Sequence, residues 1–295
     1  MDLSFIIINY NTTALTLACL DSIYLHTKKN KFEVIVIDNA SPDASINKLK
    51  ILYPETILII CENNIGFGRA NNLAIERATG KYIFLLNSDT LLISDAAAVF
   101  FNYMEDVKNL QVACCGGALI GADGCDMVSY GNFPSFREAF SSLGFLKFYK
   151  NYYSKYLSSG VLNYSERIRS VDYLCGADMF LRKSVLKEIG VFDPEFFLYF
   201  EEVELSLRMR KAKYLSVILP DVKIIHYESA SFEGGTLNLN KIQHMAISRR
   251  VYFRKSHGKL ASNIINKIYG VQALIFLLVK NNSAYLKIAG ILFKS

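Results

Sequence analysis

Residues 81–90 read Lys-Tyr-Ile-Phe-Leu-Leu-Asn-Ser-Asp-Thr, an apolar run that ends in a short polar tip. Such a run is typical of a strand that is buried on both faces of a parallel sheet. Asp89 then lies at the mouth of the strand, where a carboxylate can hold Mg²⁺ or Mn²⁺ against phosphate oxygens. The same tip, Asn87 to Asp89, is also typical of an ordinary turn. Taken alone, the tip leaves both interpretations open.

The chain before this strand alternates between strand-like and helical patterns. Apolar runs predict strands at 5–10, 32–37, 57–61 and 82–86, and apolar residues at helical spacing predict helices between them. Four alternations within ninety residues indicate right-handed crossovers between parallel strands. We therefore predict an α/β fold with a mostly parallel central sheet and helices on both faces.

Polar residues follow each of the four predicted strands. Ligands of such sheets bind beyond the carboxyl ends of the strands, so these residues should share one rim. They are Tyr10 and Asn11, Asp38 and Asn39, Asn63 and Asn64, and Asn87 to Asp89. The Asp38 carboxylate could accept a hydrogen bond from a pyrimidine base or a ribose hydroxyl, or it could stabilise a turn.

Two glycine-bearing segments could approach a ligand closely. The first, residues 63–71, reads Asn-Asn-Ile-Gly-Phe-Gly-Arg-Ala-Asn and predicts a loop over 63–69. Gly66 permits close backbone contact, the following helix start favours anions, and Arg69 could pair with phosphate. The second is Cys175-Gly176-Ala177-Asp178, a small-residue tip that could admit a sugar or could be a plain tight turn.

Three carboxylates crowd behind an aromatic run: Glu201, Glu202 and Glu204. Like charges this close disfavour one another, and burial beside aromatic rings raises a carboxyl pKa. A general base for an acceptor hydroxyl would explain the crowding, and so would a solvated helix start. His226 follows a strand-like run at 222–225 and is either structural or a ligand for metal or phosphate.

Composition narrows the class of protein. The 295 residues are 52% hydrophobic and 20% charged, which suggests a large core and some surface that prefers a membrane. The net charge of +6 is mild, and no nucleic-acid-binding module accompanies it, so we expect no nucleic-acid partner. The six cysteines lack metal-ligand spacing and indicate buried thiols in a reducing compartment. The N-terminus shows no secretory signal.

The end of the chain suggests contact with a membrane. Nine cations lie where acidic residues are absent: Arg249, Arg250, Arg254, Lys255, Lys259, Lys267, Lys280, Lys287 and Lys294. They could meet anionic lipid or form a solvated basic face. The apolar residues 264–293 contain no uncharged stretch long enough for a bilayer span, and predict interfacial helices or a packed hairpin. Residues 145–156, rich in Tyr and Lys, could cover an acceptor sugar or form a surface helix.

Taken in order, these motifs resemble the family 2 glycosyltransferases with the GT-A fold, and most closely the bacterial rhamnosyltransferase-like branch that builds O-antigen and other cell-surface polysaccharides. The matching segments are 6–11 for the first strand, 38–41 for the nucleotide-binding acid, 63–71 for the donor loop, 87–89 for the DxD metal motif, 201–204 for the Glu-Asp-x-Asp motif, and the late His226. Two residues depart from the family pattern: Asn87 replaces the first acid of DxD, and Glu202 replaces the usual Asp base.

Residues 258–295 form, by their sequence pattern, a C-terminal amphipathic helical segment that could contact a membrane. The resemblance implies that residues 1–257 form a GT-A domain. It implies an inverting, metal-dependent transfer of a sugar, with rhamnose favoured, from a nucleoside diphosphate sugar to a growing or lipid-linked glycan. The enzyme would work in the cytoplasm at the inner face of the plasma membrane. Glu202 would be the base, with Glu201 and Glu204 as alternatives, and Asp89 and His226 would hold Mg²⁺ or Mn²⁺. The donor-binding residues would be Tyr10, Asn11, Asp38, Asn39, Gly66, Arg69, Asn71, Ser88, Gly176, Ala177 and Asp178.

Two other functions fit parts of the pattern. A sugar-phosphate nucleotidyltransferase uses a similar sheet, but it should carry a Gly-rich, basic loop after the first strand, where this chain has Asn11-Thr12-Thr13-Ala14. A non-catalytic, membrane-associated protein that binds nucleotide sugars would need the acidic cluster only as a helix start.

Overall fold

The structure is a computed structural model that describes residues 1–42, 46–141, 143, 166–227 and 238–295. Residues 145–156, which could cover an acceptor sugar or form a surface helix, lie outside these described residues. The described residues form eleven strands. They are β1 (Leu3–Asn9), β2 (Phe32–Asp38), β3 (Ile57–Ile60), β4 (Tyr82–Asn87), β5 (Thr90–Leu92), β6 (Val112–Ile120), β7 (Tyr130–Gly131), β8 (Arg169–Val171), β9 (Tyr173–Leu174), β10 (Asp178–Arg182) and β11 (Leu215–His226).

Nine of these strands form one central sheet in the order β3-β2-β1-β4-β10-β6-β11-β5, with β8 also paired to β11. The strands β1 to β4 are parallel, as predicted, and β6 and β11 run the same way. Three strands, β5, β8 and β10, run in the opposite direction. Only two residues separate β5 from β4, so the chain reverses direction in that short turn, and β5 then pairs with β11.

Helices cover both faces of the sheet. The described helices are α1 (Thr13–His26), α2 (Asn47–Leu52), α3 (Phe67–Arg77), α4 (Ala96–Glu105), α5 (Phe136–Ser141), α6 (Lys183–Ile189), α7 (Glu201–Lys211), α8 (Leu239–His257), α9 (Lys259–Lys280) and α10 (Ala284–Lys294), with a short 3₁₀ turn at Val107–Asn109. Because side chains alternate along a strand, Phe5 and Phe84 pack with α1, α2 and α4 on one face, whereas Ile6 and Leu85 pack with α3, α6 and α7 on the other.

The C-terminal helices form a layer of their own. The helix α9 packs against both α8 and α10, and its Ile265 joins an apolar cluster that includes Phe196 and Val203 of the main body. The α/β fold with a mostly parallel sheet, helices on both faces and a C-terminal helical extension is therefore confirmed. The domain boundary at 257/258 stays a prediction; Gly258, with φ of +93°, separates α8 from α9 there.

Candidate active site

A cleft of about 720 Å³ opens at the edge of the sheet where the parallel strands end. Six of the predicted site residues line it: Tyr10, Asn39, Gly66, Ser88, Asp89 and His226. The other lining residues are Ile8, Thr12, Asn64, Phe67, Asn87, Phe197, Leu198, Tyr199, Asn240, Lys241 and His244. The carboxyl ends of β1, β2, β4 and β11 thus meet here, as expected for ligand sites of such sheets.

A buried amide, Asn9, connects the ends of β1 and β2. Its side-chain nitrogen donates to Oδ1 of Asp38 at 2.6 Å and to the Ser41 hydroxyl at 3.0 Å. Its oxygen accepts from the hydroxyls of Thr12 at 3.1 Å and Thr16 at 2.8 Å. All four hydrogen-bonding positions of this amide are thereby used, which fixes the strand ends relative to α1.

Asp38 is buried beneath the rim rather than lining the cleft. The Ser41 hydroxyl donates to its Oδ1 at 2.6 Å, and the Ser41 backbone N–H donates to its Oδ2 at 3.3 Å. A direct contact between Asp38 and a donor nucleoside would therefore require the Ser41 side chain to turn away. The next residue, Asn39, does line the cleft.

The loop before α3 is held by two asparagines. Asn39 donates to Asn64 at 3.0 Å and accepts from the backbone N–H of Ile65 at 2.9 Å. Gly66 has φ of +87°, and a Cβ on it would collide with the Phe197 carbonyl oxygen. Only glycine therefore fits here. The helix begins at Phe67, three residues earlier than the predicted loop over 63–69 allowed, because Gly66 ends the loop.

Asp89 and His226 meet at the base of the cleft. The Nε2 atom of His226 lies 3.3 Å from Oδ1 of Asp89, and both side chains are largely buried, at 11% and 12% exposure. The pairing of β5 with β11 sets this distance, since Thr90 lies opposite His226 in the sheet. The structure thus brings together the two predicted metal ligands.

Asp89 and His226 together suit a divalent metal ion that takes most of its ligands from a substrate. One carboxylate, together with substrate phosphates, is a usual shell for Mg²⁺. Among the described residues, no group of three His, Cys, Asp or Glu side chains is placed to hold a metal unaided. Asp89 and His226 would therefore bind an ion jointly with the phosphates of a donor.

The opposite wall of the cleft is a strained loop under α8. Tyr199 and Phe200 both have φ of +70°, a left-handed conformation that is costly for large side chains. The loop is held from two sides, because Phe197 stacks on the His244 ring at 5.0 Å and the Ser248 hydroxyl donates to the Leu198 carbonyl at 2.7 Å. The strained turn places Glu201 and Glu202 at the first turn of α7.

Glu201 and Glu202 are both held in environments that favour the protonated form. Glu201 is 3% exposed, and its Oε2 has no hydrogen-bond partner among the described residues. Burial raises its pKa well above the usual value, and the neighbouring Glu202 charge raises it further. Burial also raises the pKa of Glu202, to about 7. A carboxyl group that titrates near neutral pH is suited to general-base chemistry.

Glu202 lies beside the cleft rather than in its wall. A Cβ built on Gly176 would lie 3.8 Å from the ring of Phe67, which lines the cleft, and 3.9 Å from the Glu202 side chain. Gly176 thus lies beside both the Phe67 ring and the Cβ and Cγ atoms of Glu202. The third acidic residue, Glu204, differs because both its oxygens accept from Nε of Arg208 at 2.9 Å.

The remaining predicted donor-binding residues lie outside the cleft wall. The Arg69 side chain donates to the Pro194 carbonyl at 2.7 Å, and buried Asn71 donates to the Phe67 carbonyl at 3.0 Å. Asn11 is exposed on the rim, where its N–H donates to the Ser41 hydroxyl. The carbonyl of Ala177 accepts from the Asn87 backbone at 3.0 Å.

Asp178 is fully buried at the start of β10. Its Oδ2 accepts from the Gly117 N–H at 2.5 Å, and its Oδ1 has no partner among the described residues. Burial raises its pKa well above the usual value, which favours the neutral form of the carboxyl group. Contact between this side chain and a donor stays a prediction, as it does for Arg69 and Asn71.

Several residues that line or support the cleft were not predicted from the sequence. Lys241 and His244 reach the cleft from α8, more than 150 residues after the Asp89 tip. Asn9 reads as part of an apolar strand, although a polar residue at its last position was a usable signal. Lys241 and the two imidazoles of His226 and His244 give the cleft groups that can carry positive charge, which suits an anionic ligand.

Comparison with known proteins identifies the family. The model of the family "Glycosyl transferase family 2" matches residues 4–190. N-acetylglucosaminyl-diphospho-decaprenol L-rhamnosyltransferase of Mycobacterium tuberculosis is 26% identical over 225 residues, which cover 72% of this chain and 71% of that protein. Rhamnosyltransferase WbbL of Escherichia coli K12 is 25% identical over 214 residues, which cover 69% and 75%.

Solved structures agree on the fold. GalNAc-T7, crystallised with UDP, GalNAc and Mn²⁺, superposes with a TM-score of 0.59 at 13% identity, over 85% of this chain and 47% of that one. Staphylococcus aureus TarS gives 0.56 at 15% identity, over 93% and 49%. The chain thus spans about half the length of these two proteins. It belongs to glycosyl transferase family 2, in the rhamnosyltransferase-like branch, and has the GT-A fold.

Proposed function

We propose that this protein transfers a sugar, with inversion, from a nucleoside diphosphate sugar to a hydroxyl group of a growing or lipid-linked cell-surface glycan. The observation that carries the proposal is that the cleft containing the Asp89–His226 pair adjoins, at Gly176, the side chain of Glu202, whose pKa burial raises to about 7. The first suits a diphosphate leaving group, and the second suits an acceptor hydroxyl.

The donor would lie along the cleft. Tyr10, Asn39 and the Gly66 backbone border the part nearest β1 and β2, which we assign to the nucleoside. Its diphosphate would reach Asp89 and His226, where bound Mg²⁺ or Mn²⁺ would neutralise the charge of the leaving group. Lys241, on the facing helix, would add a further positive charge.

Glu202 would take the proton from the acceptor hydroxyl. The acceptor oxygen forms a bond to the anomeric carbon while the bond from that carbon to the diphosphate oxygen breaks on the opposite face, with an oxocarbenium-like transition state. Burial and the neighbouring Glu202 charge both favour the protonated form of Glu201, so Glu202 is the member of the pair that would act as the base. Glu204 is the weaker alternative, because Arg208 occupies both its oxygens.

The sugar and the place of action follow from the relatives only as proposals. The two relatives are named as rhamnosyltransferases, so we infer that rhamnose is the sugar transferred here. The name of the mycobacterial relative gives its acceptor as a sugar linked through diphosphate to decaprenol. A lipid-linked acceptor would place the enzyme in the cytoplasm, at the inner face of the plasma membrane.

A donor panel tests this function. The purified protein, extracted lipid-linked glycan and Mn²⁺ are incubated with individual nucleoside diphosphate sugars, and mass spectrometry follows donor and glycan. We expect one donor to be consumed as the glycan gains one sugar, and Asp89→Asn to abolish both changes. Pyrophosphate formed from a nucleoside triphosphate and a sugar phosphate would indicate a nucleotidyltransferase. Donor binding without consumption of any donor would indicate a non-catalytic protein.

A further inference from the structure

The outer face of α9 carries a stripe of exposed apolar side chains. A helix turns by about 100° per residue, so five of them fall within about 60° of one another around its axis. They are Leu260, Ile264, Val271, Ile275 and Leu278, with exposures between 38% and 83%. The adjoining side of the same helix, starting about 20° beyond the stripe, is buried through Ala261, Ile265, Ile268 and Ala273. The helix is therefore packed on one side and apolar on the other.

The C-terminal residues that include this stripe carry only positive charges. Residues 239–295 contain ten lysines and arginines and no acidic residue: Lys241, Arg249, Arg250, Arg254, Lys255, Lys259, Lys267, Lys280, Lys287 and Lys294. Because the whole chain has a net charge of only +6, the preceding part is negative on balance. The positive charge is thus concentrated on the helices around the stripe.

A basic groove flanks the first half of the stripe. It has a volume of about 710 Å³, and Arg250, Arg254, Lys259 and Lys294 line it. Arg254 also pairs with Glu195, and Arg250 donates to the Asn263 side-chain oxygen and to an oxygen of Ser295. Apolar residues beside cations of this kind are typical of a helix that lies in a membrane interface, with its cations at the lipid phosphates.

We propose that the outer face of α9 and the flanking basic groove dock on the surface of an anionic lipid bilayer. Composition alone would let α9 span a membrane. Spanning would, however, pull its buried side out of the clusters shared with α5, α7 and α8. A symmetric contact between two copies is disfavoured, because each subunit would present the same cationic surface to the other.

The docking surface is connected to the candidate active site by one helix. Lys241 and His244 of α8 line the cleft, and Arg250 and Arg254 of the same helix line the groove. Ten residues of helix separate His244 from Arg254, a distance of about 15 Å along the axis. Insofar as it concerns the acceptor, the inference rests on the proposed function, since docking would bring a lipid-linked glycan within reach of the cleft.

Vesicle flotation tests the docking surface. The full chain is mixed with phosphatidylcholine vesicles that contain or lack phosphatidylglycerol, without donor or acceptor. We expect binding to the anionic vesicles that high salt weakens, and a loss of about fivefold for each cation removed by Lys259→Gln or Lys267→Gln. Leu260→Glu and Leu278→Glu should each weaken binding by at least about tenfold.

Ile51→Glu is the matched control, because Ile51 is 81% exposed, like Leu278 at 83%, but lies on α2. It should bind like the wild type. Equal binding of the Leu278 variant would overturn the inference, and so would equal binding to neutral vesicles. A dimer that Leu278→Glu dissociates, with vesicle binding unchanged, would assign the face to a second copy instead. If the protein does not bind anionic vesicles but still consumes a nucleoside diphosphate sugar in the donor panel, membrane docking is refuted and the proposed function stands.

Discussion

Glu202→Gln removes the proposed base while it keeps the size and shape of the side chain. Burial raises the pKa of this carboxyl group from 4.5 to about 7. At 1.36 kcal/mol per pKa unit, the folded protein therefore disfavours the ionised form by about 3 kcal/mol. Loss of a general base should also slow the transfer by about 10²–10⁴-fold.

The effect on stability depends on pH in a defined direction. The folded state binds the Glu202 proton more tightly than the unfolded state, so the wild type loses stability as the pH rises from 4.5 to about 7. Glutamine does not ionise, so the variant avoids this loss. We expect its free energy of unfolding to exceed that of the wild type by up to about 3 kcal/mol at about pH 8, and by less than about 1 kcal/mol at about pH 5.

Two assays measure these effects together. Urea unfolding at both pH values gives the stability difference, and release of nucleoside diphosphate across the same range gives the rate. The wild-type rate should rise with pH around a midpoint near 7, and the residual rate of the variant should be flat. Glu204→Gln is the control and should retain activity, because Arg208 already holds that carboxylate. A Glu202→Gln protein that is less stable at about pH 8, or nearly as active as the wild type, would refute the assignment.

Three further substitutions test the site. Asp89→Asn should slow transfer at least about 100-fold and remove Mn²⁺-dependent thermal stabilisation by nucleoside diphosphate, measured by scanning fluorimetry; undiminished stabilisation would exclude Asp89 as a ligand. Gly66→Ala should lower the free energy of unfolding by more than about 2 kcal/mol, because the positive φ strains alanine and the new Cβ collides with the Phe197 carbonyl. Gly124 has a similar φ but no neighbouring atoms, so Gly124→Ala should lower the free energy of unfolding by only about 1 kcal/mol. Equal losses for the two glycines would contradict the steric explanation. Asn9→Leu should cost at least about 2 kcal/mol in urea unfolding, because buried partners lose their hydrogen bonds, and a loss near zero would show that they find others.

The first half of the fold was predictable because its signals are local. The strands β1 to β4 were predicted to within two residues at each end, with helices between them, since apolar periodicity reports directly on a buried sheet. The reversed direction of β10 was not, because the apolar residues of a strand do not report which way it runs relative to its neighbours.

The site was predictable where a residue follows a strand. Tyr10, Asn39, Ser88 and Asp89 reached the cleft because the carboxyl ends of parallel strands share an edge. The direction of a side chain on a helix was less accessible, since it depends on how that helix is rotated. Arg69 thus turns to the Pro194 carbonyl. Residues of α8 enter the cleft although no pattern around them marks a ligand.

The stereochemistry of the product is the most direct test of a single displacement with Glu202 as base. The transferred sugar is examined by ¹H NMR, and its anomeric configuration is compared with that of the consumed donor. The expected result is inversion, with no sugar–protein adduct detected by mass spectrometry during turnover. Retention of configuration, or a covalent adduct, would contradict the role given to Glu202.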